Sequence, residues 1–172
     1  MSLFNRAAGI TLAATLTVPL AAALPVFVSP SQAEAATTVV APTHVPSKRA
    51  SRVAAREALS DRTMVIAAKY KGVPYRAGGT TPRGFDCSGF TRFVYAKIDK
   101  RLPRSSQQQF NAADRVNHPR VGDLIFYHSS RGGSVYHVAI YAGRGQVWHS
   151  TRPGERVRKT KIYTRNWTAG RF

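Results

Sequence analysis

Apolar residues follow three different patterns along the chain. Residues 7 to 28 (AAGITLAATLTVPLAAALPVFV) are almost continuously apolar. After a polar interval, RVAAREALSDRTMVIAAKYKG (52 to 72) carries apolar positions at helical spacing, with Met64, Val65, Ile66, Ala68 and Tyr70 on its apolar side. That spacing predicts a helix with Ser60 as N-cap and Gly72 as its stop. Val73-Pro74 then forces extended backbone, and Gly78-Gly79 with Pro82 marks a loop. A second helix is predicted over CSGFTRFVYAKI, because Phe90, Phe93, Val94 and Ile98 share one face and Asp86 stands where a cap belongs. A looser helical stretch, SSQQQFNAADRV, follows Pro103. Beyond it the period drops to two. VGDLIFYH, YHVAIYAG and QVWHS are short β-branched or aromatic runs separated by SSRGGS and GRG, the pattern of antiparallel hairpins. ERVRKTKIY adds a further strand. Helices first and a sheet second define an α+β fold.

The first apolar run has Arg6 before it and Ala33-Glu34-Ala35 after it. A charged start, an apolar stretch and small residues at an A-x-A site are the signature of a secretory signal peptide, with cleavage expected after Ala35. The run is long enough to span a bilayer, but Pro19 and Pro25 interrupt it and no basic cluster follows it directly. Three segments are therefore expected: a leader over 1–35, a flexible basic linker over 36–50 (ATTVVAPTHVPSKRA) and one domain over 51–172. The destination is extracellular or cell-wall associated.

Charge narrows the choice of partner. The formal net charge is +18, from 26 Lys+Arg against 8 Asp+Glu. Arg6 and Glu34 offset each other, so loss of the leader leaves the balance unchanged. Such a surface seeks anions. No nucleic-acid motif is present, so no specific nucleic-acid partner is expected. For an exported chain the anion is a cell-wall polymer or a lipid headgroup.

The sequence has one cysteine, Cys87. It has no partner for a disulfide within the chain, which leaves an inert buried thiol, an intermolecular bridge or a reactive nucleophile. A position at the start of the second helix would place it in the field of free N–H groups, which lower a thiol pKa and can hold an oxyanion. A nucleophilic thiol also needs a base. His44 in the linker and His118 beside Pro119 are expected to be solvated, and His128 to serve a turn. His137 opens one strand and His149 closes the next, so a short hairpin brings them to the same end. Cysteine, histidine and a group that orients the histidine form a triad. Zinc ligation by the same three side chains is the rival, although no close ligand pair accompanies them.

GFDCSGF, LPRSSQQQ, VGDLIFY, HVAIYAG and VWHS, in that order, resemble the NlpC-like family of bacterial peptidoglycan peptidases over residues 61 to 163. The resemblance implies a papain-like α+β fold, with N-terminal helices packed on an antiparallel sheet and the nucleophile at a helix N-terminus. It implies Cys87 as nucleophile, His137 as general base and His149 as its orienting residue, with no metal or cofactor. It implies hydrolysis of the bond between the side-chain carboxyl of D-glutamate and diaminopimelate in wall stem peptides, by a monomer. Tyr75 matches a tyrosine near the nucleophile, as an oxyanion donor or as a packed wall. Asp86 and Ser88 match residues facing the substrate, with helix capping the alternative for Asp86. Ser106 matches a serine of the cleft. Arg104 either pairs with a nearby acidic group or is a surface cation, and Asp123 is expected to pin a strand start. A cysteine amidase or acyl transferase acting on another wall bond, and a non-catalytic cationic wall-binding protein, are the alternatives.

Overall fold

The computed structural model describes residues 47–172. The expected leader, His44 and most of the expected linker lie outside them. A long helix, α1 (Lys48–Lys69), comes first. It begins twelve residues before the expected cap. Ser47 caps it by accepting from the Ala50 N–H, so its first turns occupy the last residues assigned to the linker. Alanine-rich RVAAREAL sustains those exposed turns through propensity alone. The apolar side also differs from expectation. Leu59, Met64, Ile66, Ala67 and Tyr70 face the core, whereas Val65 is 69% exposed. Gly72 ends the segment with a φ of 87°, the left-handed conformation that suits glycine.

A two-stranded ribbon, β1 (Thr80–Thr81) and β2 (Gly84–Phe85), leads into α2 (Cys87–Ala96). Asp86 caps α2 through Gly89 N–H, 2.6 Å away. Helix α3 (Ser106–Ala112) carries a complete capping box between Ser105 and Gln108. The residues just after it, read as helical in the sequence, are instead a strand, β3 (Asp114–Val116).

The remaining strands are β4 (Leu124–His128), β5 (Val135–Gly143), β6 (Gln146–His149), β7 (Arg158–Lys161) and β8 (Trp167–Arg171). They form one antiparallel sheet in the order β3-β8-β4-β5-β6-β7. The β4–β5 and β5–β6 hairpins are those the alternation predicts. Strand β8 was not anticipated, and it sits between β3 and β4. Asp123 ties it in: its carboxylate accepts Arg120 N–H at 2.7 Å and takes Arg171 in two bonds of 2.8 and 2.6 Å.

Alternation along the strands separates two clusters. Leu124, Phe126, Val138, Ile140 and Trp148 join Phe85, Phe90, Val94 and Ile98 in the main core between sheet and helices. Ile125, Tyr127, Ala139, Val147 and Ala169 form a smaller cluster on the opposite face. The helices and antiparallel sheet form the expected α+β fold. Among the described residues no helix is long and apolar enough to cross a membrane.

Candidate active site

The first turn of α2 is set by a close approach. A Cβ on Gly89 would lie 2.0 Å from the Gly79 carbonyl oxygen. Only glycine lets this turn press against the 78–79 loop, and that contact seats Cys87 at the helix start. The sheet approaches Cys87 at Val138, whose backbone N–H acts to lower the thiol pKa.

The residue before Val138 is His137. Tyr127 pairs with His137 and His128 with Val135, so Tyr136 is an extra residue on β5. This β-bulge bends the strand where His137 leaves it. Ile140 pairs with Trp148, which places His149 on the same sheet face as His137. Their rings meet. His137 Nε2 is 3.0 Å from His149 Nδ1, and His149 Nε2 is 3.0 Å from Thr160 Oγ1 on β7. His137 Nδ1 makes no hydrogen bond with another described residue, which leaves that ring nitrogen available in the cavity that Cys87 also lines. Both nitrogens of His149 are engaged by protein groups, so zinc ligation would require breaking one of these contacts.

A cavity of about 610 Å³ is lined by Tyr75, Cys87, His137 and His149 together with Tyr136, Thr151, Arg152, Glu155, Arg158, Thr160, Lys161 and Tyr163. Four of the sequence-predicted site residues thus share one space. Asp86, Ser88 and Ser106 are not among its walls. Asp86 is held by Arg104 through contacts of 2.6 and 3.2 Å as well as by the cap. The buried Ser88 hydroxyl donates to Asp86 and accepts from Arg104. Ser106 donates to the Val135 carbonyl at 3.4 Å. The bonds of these three residues tie the start of α2 to Arg104, and α3 to β5. Arg104 has the acidic partner that was one of its two readings. His128 is buried, its nitrogens engaging the Gly133 carbonyl and Thr168 hydroxyl, and so closes the 128–133 turn.

The sequence reading missed the far wall. Glu155 pairs with Arg158 at 2.5 Å and Arg152 at 3.4 Å. Tyr136 and Tyr163 are half-exposed beside it. The aromatic character of QVWHS and YHVAIYAG signalled the tyrosine next to His137, but nothing in RKTK marked Thr160 as a partner of His149.

The site's electrostatics differ from a preformed thiolate. Burial pushes the Cys87 thiol up, and the Asp86 carboxylate adds to the rise; the Val138, Ser88 and Cys87 N–H groups pull it down only in part. Burial lowers His137 to about 3, with His149 contributing. Burial, then Arg158, lower His149 to about 4 against the pull of Glu155. The N–H groups at the helix start favour the thiolate, as the sequence suggests, but burial and then the capping carboxylate act against it. Burial favours the neutral form of His137 as well. Tyr75 is likewise pushed up, by burial and then by Cys87, and remains an O–H donor.

Two buried neutral histidines couple stability to pH. Unfolded histidine titrates near 6.5, above both folded values, so the unfolded chain binds more protons in between. Their contribution is complete above pH 6.5 and is lost as pH falls from there toward the folded values, about 4 for His149 and about 3 for His137. Urea midpoints measured at pH 7, 5.5 and 4.5 will fall in that order. A constant midpoint would contradict the neutral pair.

The NlpC/P60 family model matches residues 72–171. The bifunctional muramidase/DL-endopeptidase CwlT of Bacillus subtilis is 38% identical over 98 residues, covering 55% of this chain and 30% of CwlT. The NlpC/p60 domain of the peptidoglycan hydrolase SagA has a solved structure that is 38% identical with a TM-score of 0.59, covering 66% of this chain and 98% of that domain. RipD of Mycobacterium tuberculosis, described as a non-catalytic NlpC/p60 domain protein adapted to peptidoglycan binding, is 30% identical with a TM-score of 0.56, covering 66% of this chain and 96% of RipD. The chain spans less than a third of the length of the first curated relatives it matches.

Proposed function

The chain belongs to the NlpC/P60 family, and from that premise we propose that it is a peptidoglycan hydrolase of the cysteine endopeptidase type. Its substrate is the wall stem peptide, cut between the side-chain carboxyl of D-glutamate and diaminopimelate. The observation that carries this reading is the Cys87 cavity, with the His137–His149 pair hydrogen-bonded at 3.0 Å in its wall.

The proposed chemistry starts from the neutral forms that burial favours. As Cys87 Sγ attacks the amide carbon, its proton passes to His137 Nδ1. The carbonyl oxygen becomes an oxyanion held by N–H groups at the start of α2 and by the Tyr75 hydroxyl. Collapse expels the amine, which takes the proton from His137, and leaves a thioester on Cys87. Water, deprotonated by His137, then releases the acid and restores the thiol. His149 holds the imidazolium formed in each step.

Export with loss of residues 1–35 brings this activity to the wall, and the positive surface favours retention on its anionic polymers. The description of RipD supports a second reading, in which the same fold binds peptidoglycan without cutting it. The Cys87 and histidine arrangement favours hydrolysis. Digestion of defined peptidoglycan with the mature protein, followed by mass analysis, decides among these. Fragments ending in γ-D-glutamate, abolished by iodoacetamide, are the expected result. Fragments cut elsewhere would assign the site to an amidase or another peptidase, and binding without fragments would establish the RipD-like role.

A further inference from the structure

The two contacts of His149 form a directional chain. A neutral imidazole donates from one nitrogen and accepts at the other, so the contacts His137 Nε2···His149 Nδ1 and His149 Nε2···Thr160 Oγ1 can be satisfied in two orders. In the first, Thr160 donates to His149, His149 donates from Nδ1 to His137 Nε2, and His137 carries its own proton on Nδ1. A base protonated there cannot take the proton of Cys87. In the second, His137 donates from Nε2, His149 donates from Nε2 to the Thr160 oxygen, and His137 Nδ1 presents a lone pair to Cys87.

The second order needs a donor at one end and an acceptor at the other. Cys87, as a thiol, is the donor. The acceptor must lie beyond His149, which is only 2% exposed. A buried N–H left without a partner is costly. Strand β7 supplies the acceptor. Val147 pairs with Thr160 and His149 with Arg158, so Thr160 stands diagonally across from His149 on the same face.

We infer that Thr160 is a positioning residue: by accepting the His149 Nε2–H it holds His137 in the tautomer whose Nδ1 can receive a proton from Cys87. This rests on the reading of Cys87 and His137 as nucleophile and base. Valine at position 160 keeps the shape and removes the acceptor, whereas serine keeps the acceptor.

The test combines kinetics on a soluble muropeptide with imidazole ¹⁵N spectra of the mature protein. Thr160→Val should lower kcat on the order of 10-fold with KM little changed, and Thr160→Ser should stay within about twofold of wild type. The wild-type spectrum should show His149 protonated on Nε2 and bare on Nδ1, and Thr160→Val should shift that balance. An unchanged kcat in Thr160→Val, or a wild-type His149 protonated on Nδ1, would overturn the inference. If the valine variant does not fold, the wild-type spectrum and the serine variant decide. The spectrum does not depend on turnover. A wild-type protein inert toward peptidoglycan therefore overturns the hydrolase reading, while the tautomer measurement still judges Thr160.

Discussion

Alanine at position 87 will leave a folded protein that releases peptides from peptidoglycan at least about 10⁴-fold more slowly than wild type. Removing Sγ deletes the atom that forms the thioester, and no second cysteine in the sequence can replace it. The fold should survive because the Cβ remains and the helix start is built by Asp86 and Gly89. Sedimentation with intact walls is the companion measurement. Retained binding with lost release separates the nucleophile from the surface that captures substrate. Undiminished release would end the assignment of Cys87.

Replacing His137 with alanine comes second in size, with an expected loss on the order of 10³-fold in kcat. The structure gives a specific reason for so large an effect. Burial disfavours the Cys87 thiolate, so in the proposed mechanism the proton leaves as sulfur attacks, and His137 lines the same cavity to take it. The same variant should therefore react with iodoacetamide at neutral pH markedly more slowly than wild type. If alkylation were equally fast, Cys87 would be activated by the helix alone and His137 would not be its base. His149→Ala should have a milder effect on alkylation, since His149 acts through His137.

The legible parts of the molecule were those with strong local signals. The apolar face at Phe90, Phe93 and Val94 and the cap at Asp86 located α2 and hence Cys87. The alternation in VGDLIFYH and YHVAIYAG located the hairpins and put His137 near His149. Strands β3 and β8 escaped because DRV and WTAGR are short, carry few apolar residues and exist by virtue of pairing with each other across more than fifty residues. The start of α1 was misplaced because Ser60 satisfies the cap rule as well as Ser47 does, and only the fold chooses between them. Val65 was put on the core side because it stands in the unbroken apolar run Met64-Val65-Ile66, where the pattern alone does not say which member faces solvent.

The site showed the same division. Residue types announced a thiol and two imidazoles, but not the electrostatic state they would adopt. A cysteine at a helix N-terminus suggests a thiolate, and the residue pattern did not show that burial and the capping Asp86 carboxylate act in the opposite direction. Asp86, Ser88 and Ser106 were assigned to substrate by resemblance. Their hydrogen bonds to Arg104, to one another and to Val135 tie the start of α2 to the segment before α3, and α3 to β5. Thr160 and Glu155 lay in a basic, weakly patterned segment, where only the register of β7 against β6 reveals what they touch.

The placement of β8 bears on what the sheet needs in order to close. Residues 167–171 supply the partner that both β3 and β4 require on their facing edges. Without them β4 would be left with an unpaired edge, and β3 with no partner strand among the described residues. The sheet therefore depends on a strand that sits between two others far from it in the sequence, whereas the hairpin that carries both histidines is built from near neighbours. The histidine pair is a local product; the sheet that backs it is not.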